Sequence, residues 1–180
     1  MRRTIIKEIV IPEGVNVSYS DRNFVAKGPK GEVSKKIFFP VLDIKIEENK
    51  VIVTAENAGK KEKKVIGTVA SHIYNIIEGS NNGFIYKLKI CSGHFPMNVS
   101  LSGDKLIVKN FLGEKVPREL ILKKGPVVKV SDPIITVEGS DKELTSQVAA
   151  DIEQLMRITN RDRRIFQDGI YITEKNGKVM

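Results

Sequence analysis

Apolar and polar side chains alternate with a period of two through most of this chain, in short runs bounded by glycine, proline, aspartate and asparagine. Such alternation marks strands that present one face to a core. It predicts strands over residues 4–11, 15–20, 24–27, 33–38, 44–47 and 51–55, then 98–101, 106–109, 116–122, 127–130 and 134–137. Further strands open at Gly83 and Gly169. The period changes twice. Val65, Val69, Ile73, Ile76 and Ile77 fall at helical spacing, with Gly79 placed as a C-cap, and so do Leu144, Val148, Ile152, Leu155 and Met156. Ser140 and Glu143 have the spacing of a capping box at the start of the second helix.

The two sets of elements are copies. Asn16, Val17, Ser18, Ser20, Lys27, Gly31 and Glu32 recur 82 positions later as Asn98, Val99, Ser100, Ser102, Lys109, Gly113 and Glu114. Those are 7 identities in 17 columns, where ordinary residue frequencies give about one. Thr54 and Glu56 keep the offset with Thr136 and Glu138, whereas Val69, Ala70 and Ile73 match Val148, Ala149 and Ile152 at 79. The first copy therefore holds three extra residues in the stretch 57–64. Strands that follow one another without intervening helices disfavour a parallel sheet, so the expected class is α+β. Two tandem, similar domains, 1–82 and 83–180, should each pack one α-helix on antiparallel sheet. Because residues 4–10 sit 82 positions before 86–92, the segment 84–90 should both close the first unit and open the second as a stiff shared strand.

Composition adds little about fold and more about partners. An apolar share of 41% with 29% charged residues is that of a globular chain. No apolar run approaches the roughly 20 residues of a membrane span, and the basic start at Arg2 and Arg3 leads into no apolar signal core. A cytoplasmic protein with no membrane partner is expected. The net charge of +8 attracts polyanions. Residues 1–81 hold 14 basic and 10 acidic side chains and residues 82–180 hold 16 and 12, so each half carries +4.

Candidate chemistry is sparse. One cysteine, Cys91, excludes an internal disulfide and a cysteine-based zinc site, and His72 and His94 complete no metal set. Cys91 reads as a small buried apolar side chain, and His72 as a packing residue on the first helix. His94, in a loop, is open to turn packing or to contact with a polyanion. An acyl-transfer triad needs a histidine between a nucleophile and a carboxylate, and no nucleophile, phosphate-loop or dinucleotide motif is present. No enzyme, cofactor or metal is expected.

The concentrated signals are basic. Lys60, Lys61, Lys63 and Lys64 lie at the three-residue insertion and lead into the first helix. Arg157, Arg161, Arg163 and Arg164, with Phe166 interleaved, follow the second. Guanidinium forks match phosphate oxygens, and a loop held between a helix and a strand positions several of them at once. The alternative is that they close the loop by pairing with Asp162 and Asp168.

Gln154, Ile158, Arg161, Arg164, Phe166, Asp168-Gly169-Ile170-Tyr171-Ile172 and Lys175 stand at the spacings of a known C-terminal signature. Together with Gly83-Phe84-Ile85-Tyr86-Lys87-Leu88-Lys89, His94-Phe95-Pro96 and Asn110-Phe111-Leu112-Gly113-Glu114-Lys115, they resemble the eukaryotic and archaeal branch of universal ribosomal protein L six, older eukaryotic name L nine. The resemblance spans nearly the whole chain. It implies a non-catalytic constituent of the large ribosomal subunit with two sheet-and-helix domains, docked on large-subunit rRNA beside neighbouring ribosomal proteins. It further implies a place near the sarcin-ricin loop and the stalk base, where translation factors bind, with much of the rRNA contact made through residues 157–175. Cys91-Ser92 departs from a more usual aromatic-alanine pair.

The expected leading rRNA contacts are the arginine loop with Phe166 and Lys175, then Lys109, Lys115, Arg118 and His94. Lys60, Lys61, Lys63 and Lys64 are secondary. Recognition should rest on phosphates, sugar hydroxyls and RNA fold, so binding should weaken with salt. The alternative function is a basic scaffold that docks acidic protein partners.

Overall fold

The computed structural model describes residues 3–180, which divide after Gly83 into two compact units. Strands β1 (Arg3–Val10), β2 (Asn16–Ser20), β3 (Asn23–Gly28), β4 (Gly31–Lys36), β5 (Asp43–Glu47) and β6 (Lys50–Ala58) precede helix α1 (Lys60–Asn81) in the first. Two antiparallel three-stranded sheets result, ordered β1-β6-β5 and β2-β3-β4. The inward residues of β3 and β6, Phe24, Ala26, Val51, Val53 and Ala55, are fully buried with Val69 and Ile73 of α1. A buried isoleucine such as Ile73 contributes about 1.5–3 kcal/mol.

The second unit repeats this plan. Strands β7 (Phe84–Cys91), β8 (Asn98–Ser102), β9 (Lys105–Lys109), β10 (Arg118–Ile121), β11 (Val127–Ser131) and β12 (Ile134–Gly139) precede helix α2 (Lys142–Leu155). It then continues through β13 (Gly169–Lys175) and the short β14 (Lys178–Val179), which sequence alternation did not reveal. The sheets are β10-β9-β8 and β11-β12-β7-β13-β14. The α+β class and the tandem duplication read from the sequence are therefore those of the fold.

Several local expectations change. The segment 84–90 is no shared strand: β7 is bonded on both sides by β12 and β13 of its own unit. The copies also slip by one residue between strands. Ile9 pairs with Val51, while Ile90 donates to the carbonyl of Pro133. The offsets are 90 − 9 = 81 and 133 − 51 = 82, so β7 corresponds to β1 at 81 rather than 82. A one-residue slip exchanges the two faces of a strand, and burial of Tyr86, Leu88 and Ile90 fixes this register.

The helices start and stop differently too. Helix α1 begins at Lys60, so the three extra residues add nearly a turn to it and the lysine run is helical rather than a lead-in. Gly79 lies buried inside α1, and the cap is Asn82 followed by Gly83 at φ 73°. At α2 the N-cap is Asp141, one residue beyond the expected Ser140, and its carboxylate accepts the amides of Glu143 and Leu144. The buried stripe of α2 includes Thr145 and Ala149, while Leu144 is exposed.

Candidate nucleic-acid interface

Helix α2 ends at Leu155, and residues 156–168 return the chain to β13. Asp162 organises the middle of this loop. Its carboxylate accepts the amide of Arg164 at 2.9 Å, and its carbonyl accepts those of Ile165 and Phe166 at 3.1 and 2.9 Å. A short polar side chain bonding backbone two residues ahead is the ordinary way to fix such a turn. Ile158 and Phe166 turn inward onto the core of the second unit, which leaves Arg157, Arg161, Arg163 and Arg164 exposed.

The far end of the loop is tied by Asp168. This carboxylate is 1% exposed and accepts the amides of Gly93 and His94, at 2.6 and 2.9 Å, and the His94 Nδ1 at 2.5 Å. Burial pushes its carboxyl up, but the His94 amide, the His94 ring and the Gly93 amide together outweigh burial and hold it below the usual carboxylate range. The His94 ring then stacks on Phe166, with centroids 4.8 Å apart, and the Arg161 guanidinium lies 4.8 Å from the same ring centroid. His94 is thus an orienting residue of the loop. Although His94 and Asp168 resemble the base and carboxylate of a triad, no hydroxyl or thiol bonds the histidine among the described residues.

Arg118 secures the near end. Its Nε and Nη2 donate to Glu114 at 2.9 and 2.6 Å in a fork, and its Nη1 donates to the Leu155 carbonyl at 2.7 Å. The guanidinium also lies 4.3 Å from the Phe111 ring centroid. A cation on the last carbonyls of a helix satisfies orphan acceptors and opposes the helix dipole. The hydrogen bond from Arg118 is the main reason the Glu114 carboxyl is held below its usual range. Expected from sequence as a leading RNA contact, Arg118 has its guanidinium committed within the protein.

The remaining candidates separate. The turn at 93–96 and the segment 110–115 meet, since Asn110 donates to the Pro96 carbonyl at 3.0 Å. Arg161 also acts on the Glu114 carboxylate. Exposed Lys109 and Lys115 therefore flank the arginine loop. Lys175 is exposed at the other end of β13, about 20 Å from Gly169 at 3.3 Å per residue. Lys60, Lys61, Lys63 and Lys64 are exposed in the first turns of α1, in the first unit.

Not all the arginines are equally available. Arg164 forks onto Asp162 with Nη2 to Oδ2 at 2.7 Å, as the pairing alternative held. That side chain is 89% exposed, and such surface pairs contribute only about 0–1 kcal/mol. Asp168, by contrast, pairs with the 93–94 turn and with no arginine among the described residues. Arg163 makes no side-chain hydrogen bond or ion pair among the described residues.

Sequence reasoning missed Asp168 and Glu114 as positioning residues, though both lie within the signature stretches. It also missed a recess of about 840 Å³ beneath the loop, lined in part by Cys91, Arg163 and Tyr171. Cys91 is half-buried there rather than buried.

Two stretches of the chain, residues 11–83 and 95–169, match the family model described as Ribosomal protein L6. The chain is 47% identical over 175 residues to the large ribosomal subunit protein uL6 of Methanosarcina mazei, covering 97% of this chain and 99% of that protein. To the uL6 of Methanococcus vannielii it is 44% identical, covering 98% and 97%. To that of Nanoarchaeum equitans it is 46% identical, covering 99% and 97%.

Proposed function

The chain belongs to the ribosomal protein L6 family, and from that membership we propose that it is a structural, non-enzymatic protein of the large ribosomal subunit that holds large-subunit rRNA through the loop bearing Arg157, Arg161, Arg163 and Arg164. The observation that carries this reading is the fixing of that loop at both ends. Arg118 bonds the helix carbonyl at one end, and Asp168 bonds the 93–94 turn at the other. A cationic loop held in this way meets phosphates without a large ordering cost. Lys109 and Lys115 extend the basic surface, and Lys60, Lys61, Lys63 and Lys64 add a second one at the positive end of α1.

Contacts of this kind position RNA through its backbone rather than read sequence. Neighbouring large-subunit proteins, a place in the factor-binding region and a cytoplasmic ribosome follow from the family resemblance and belong to the same proposal.

The test is the binding of large-subunit rRNA transcript to the full chain and to an Arg161→Ala, Arg163→Ala, Arg164→Ala variant across a salt series. Each lost phosphate contact should lower the slope of log affinity against log salt by about one. The variant should stay folded, bind more weakly and lose incorporation into large subunits. Unchanged affinity and slope would transfer the function to a scaffold for acidic proteins.

A further inference from the structure

The open face of the β7–β13 pair has a gap in its side-chain cover. Gly169 pairs with Cys91 and Tyr171 pairs with Lys89, so Cys91 and Tyr171 stand on the same face. Gly169 fills none of the space between them, and the Tyr171 ring leans into it: a Cβ at Gly169 would lie 3.2 Å from ring carbon Cζ and from Oη. The phenol donates to the Asp168 carbonyl at 3.3 Å, which holds the ring tip. Cys91 and Tyr171 thus form a floor, the Gly93–His94 turn forms one wall, and Arg163 and Gln167 form the other.

The recess offers in its lining an aromatic ring at Tyr171 and a cation at Arg163. Its volume, about 840 Å³, is within the roughly 300–1,000 Å³ of small-ligand sites. Arg163 has no protein partner among the described residues and acts on the Tyr171 phenol, so its positive charge lies at the rim beside the ring. The acidic group in the wall, Asp168, does not oppose an anion strongly, since two backbone amides and the His94 ring already bond it. Unpaired RNA nucleotides combine a stackable base with a phosphate, and proteins take such splayed bases on aromatic rings and guanidinium planes.

We propose that this recess, formed by Cys91, Tyr171, Gly93, His94, Arg163 and Gln167, seats one nucleotide of large-subunit rRNA turned out of its stack, with the base against the Tyr171 ring and its phosphate on Arg163. The proposal rests on the reading that the arginine loop binds rRNA, and adds a discrete, base-holding contact to a surface otherwise reading phosphates.

Cys91 is the sole cysteine, so the recess can be filled after folding. Full-chain protein is labelled at Cys91 with benzyl methanethiosulfonate, which adds a neutral aromatic group removable by reductant, and Cys91→Phe is made in parallel. Binding of full-length large-subunit rRNA transcript is measured across salt. Loss of the seated nucleotide should weaken binding about ten-fold or more, with the salt slope falling by no more than about one, the share of its single phosphate on Arg163. Reductant should restore the labelled protein. Bound rRNA should slow the labelling, and chemical probing should show one nucleotide whose base-edge protection disappears with the label.

Wild-type affinity for rRNA in both blocked proteins would overturn the proposal while leaving the arginine-loop reading intact. So would blocked protein that binds rRNA normally but fails to enter whole subunits, which would assign the recess to a neighbouring protein's side chain. If the triple arginine variant binds as wild type, the loop reading fails, and the recess, which uses Arg163, fails with it.

Discussion

The carboxylate of Asp168 accepts the backbone amide of Gly93 at 2.6 Å, joining the start of β13 to the turn that follows β7. Because the same carboxylate also takes the His94 amide and ring, three donors depend on a single buried acceptor. Asp168→Ala should remove three part-buried hydrogen bonds to a charged acceptor, at a cost of about 1–3 kcal/mol. Urea unfolding should show that loss as a lower midpoint, with weaker rRNA binding at temperatures where the protein remains folded. A midpoint equal to wild type would remove Asp168 from its anchoring role.

Arg118 separates stability from RNA binding. Losing its bonds to Glu114 and the Leu155 carbonyl should lower stability by about 1.5–3 kcal/mol, as for charged hydrogen bonds. If its guanidinium serves the protein, Arg118→Ala should leave the salt slope of rRNA binding unchanged, while Arg163→Ala lowers it by about one with little change in stability. A slope change at Arg118 with normal stability would restore it as a phosphate contact.

Gly28 lies against the end of α1. A Cβ there would come 2.5 Å from the Ser80 carbonyl oxygen, which already accepts the Lys30 amide at 2.9 Å. Gly28→Ala must therefore push backbone away from backbone, and should cost about 1–3 kcal/mol, as overpacking does. Gly67→Ala, where a Cβ meets nothing within 4 Å, should instead be neutral or stabilising by up to about 1 kcal/mol, since alanine favours helix. Thermal unfolding of the two variants gives the comparison.

Acid should weaken the loop anchors. The Asp168 and Glu114 carboxyls are both held below their ordinary range, Asp168 despite burial through bonds to His94 and Gly93, Glu114 chiefly through Arg118. The unfolded chain therefore binds protons at these sites before the folded one does. Their stabilisation is complete above the ordinary carboxylate range, about pH 4 to 5, and is lost as pH falls through the lower folded values. Urea midpoints should be flat in this respect near neutrality and fall below about pH 4. A double Asp168→Asn, Glu114→Gln variant should show a shallower acid decline.

The duplication, the α+β class and nearly every strand were legible in the sequence because alternation and helical spacing are local signals, repeated at a near-constant offset. Phe24 and Leu106, Val69 and Val148, and Ile73 and Ile152 fill equivalent buried places in the two units. The signature around Arg161 to Tyr171 likewise marked the basic loop. What spacing could not express was which polar groups meet across 74 or 75 residues. Arg118 and Arg163 look alike in the sequence, yet one bonds a helix end and the other reaches solvent. That difference arises from the packing of β10 against the end of α2, a long-range contact that no local pattern encodes. The strand pairing of Cys91 with Gly169 similarly created a recess where the sequence indicated only a small buried apolar side chain at Cys91.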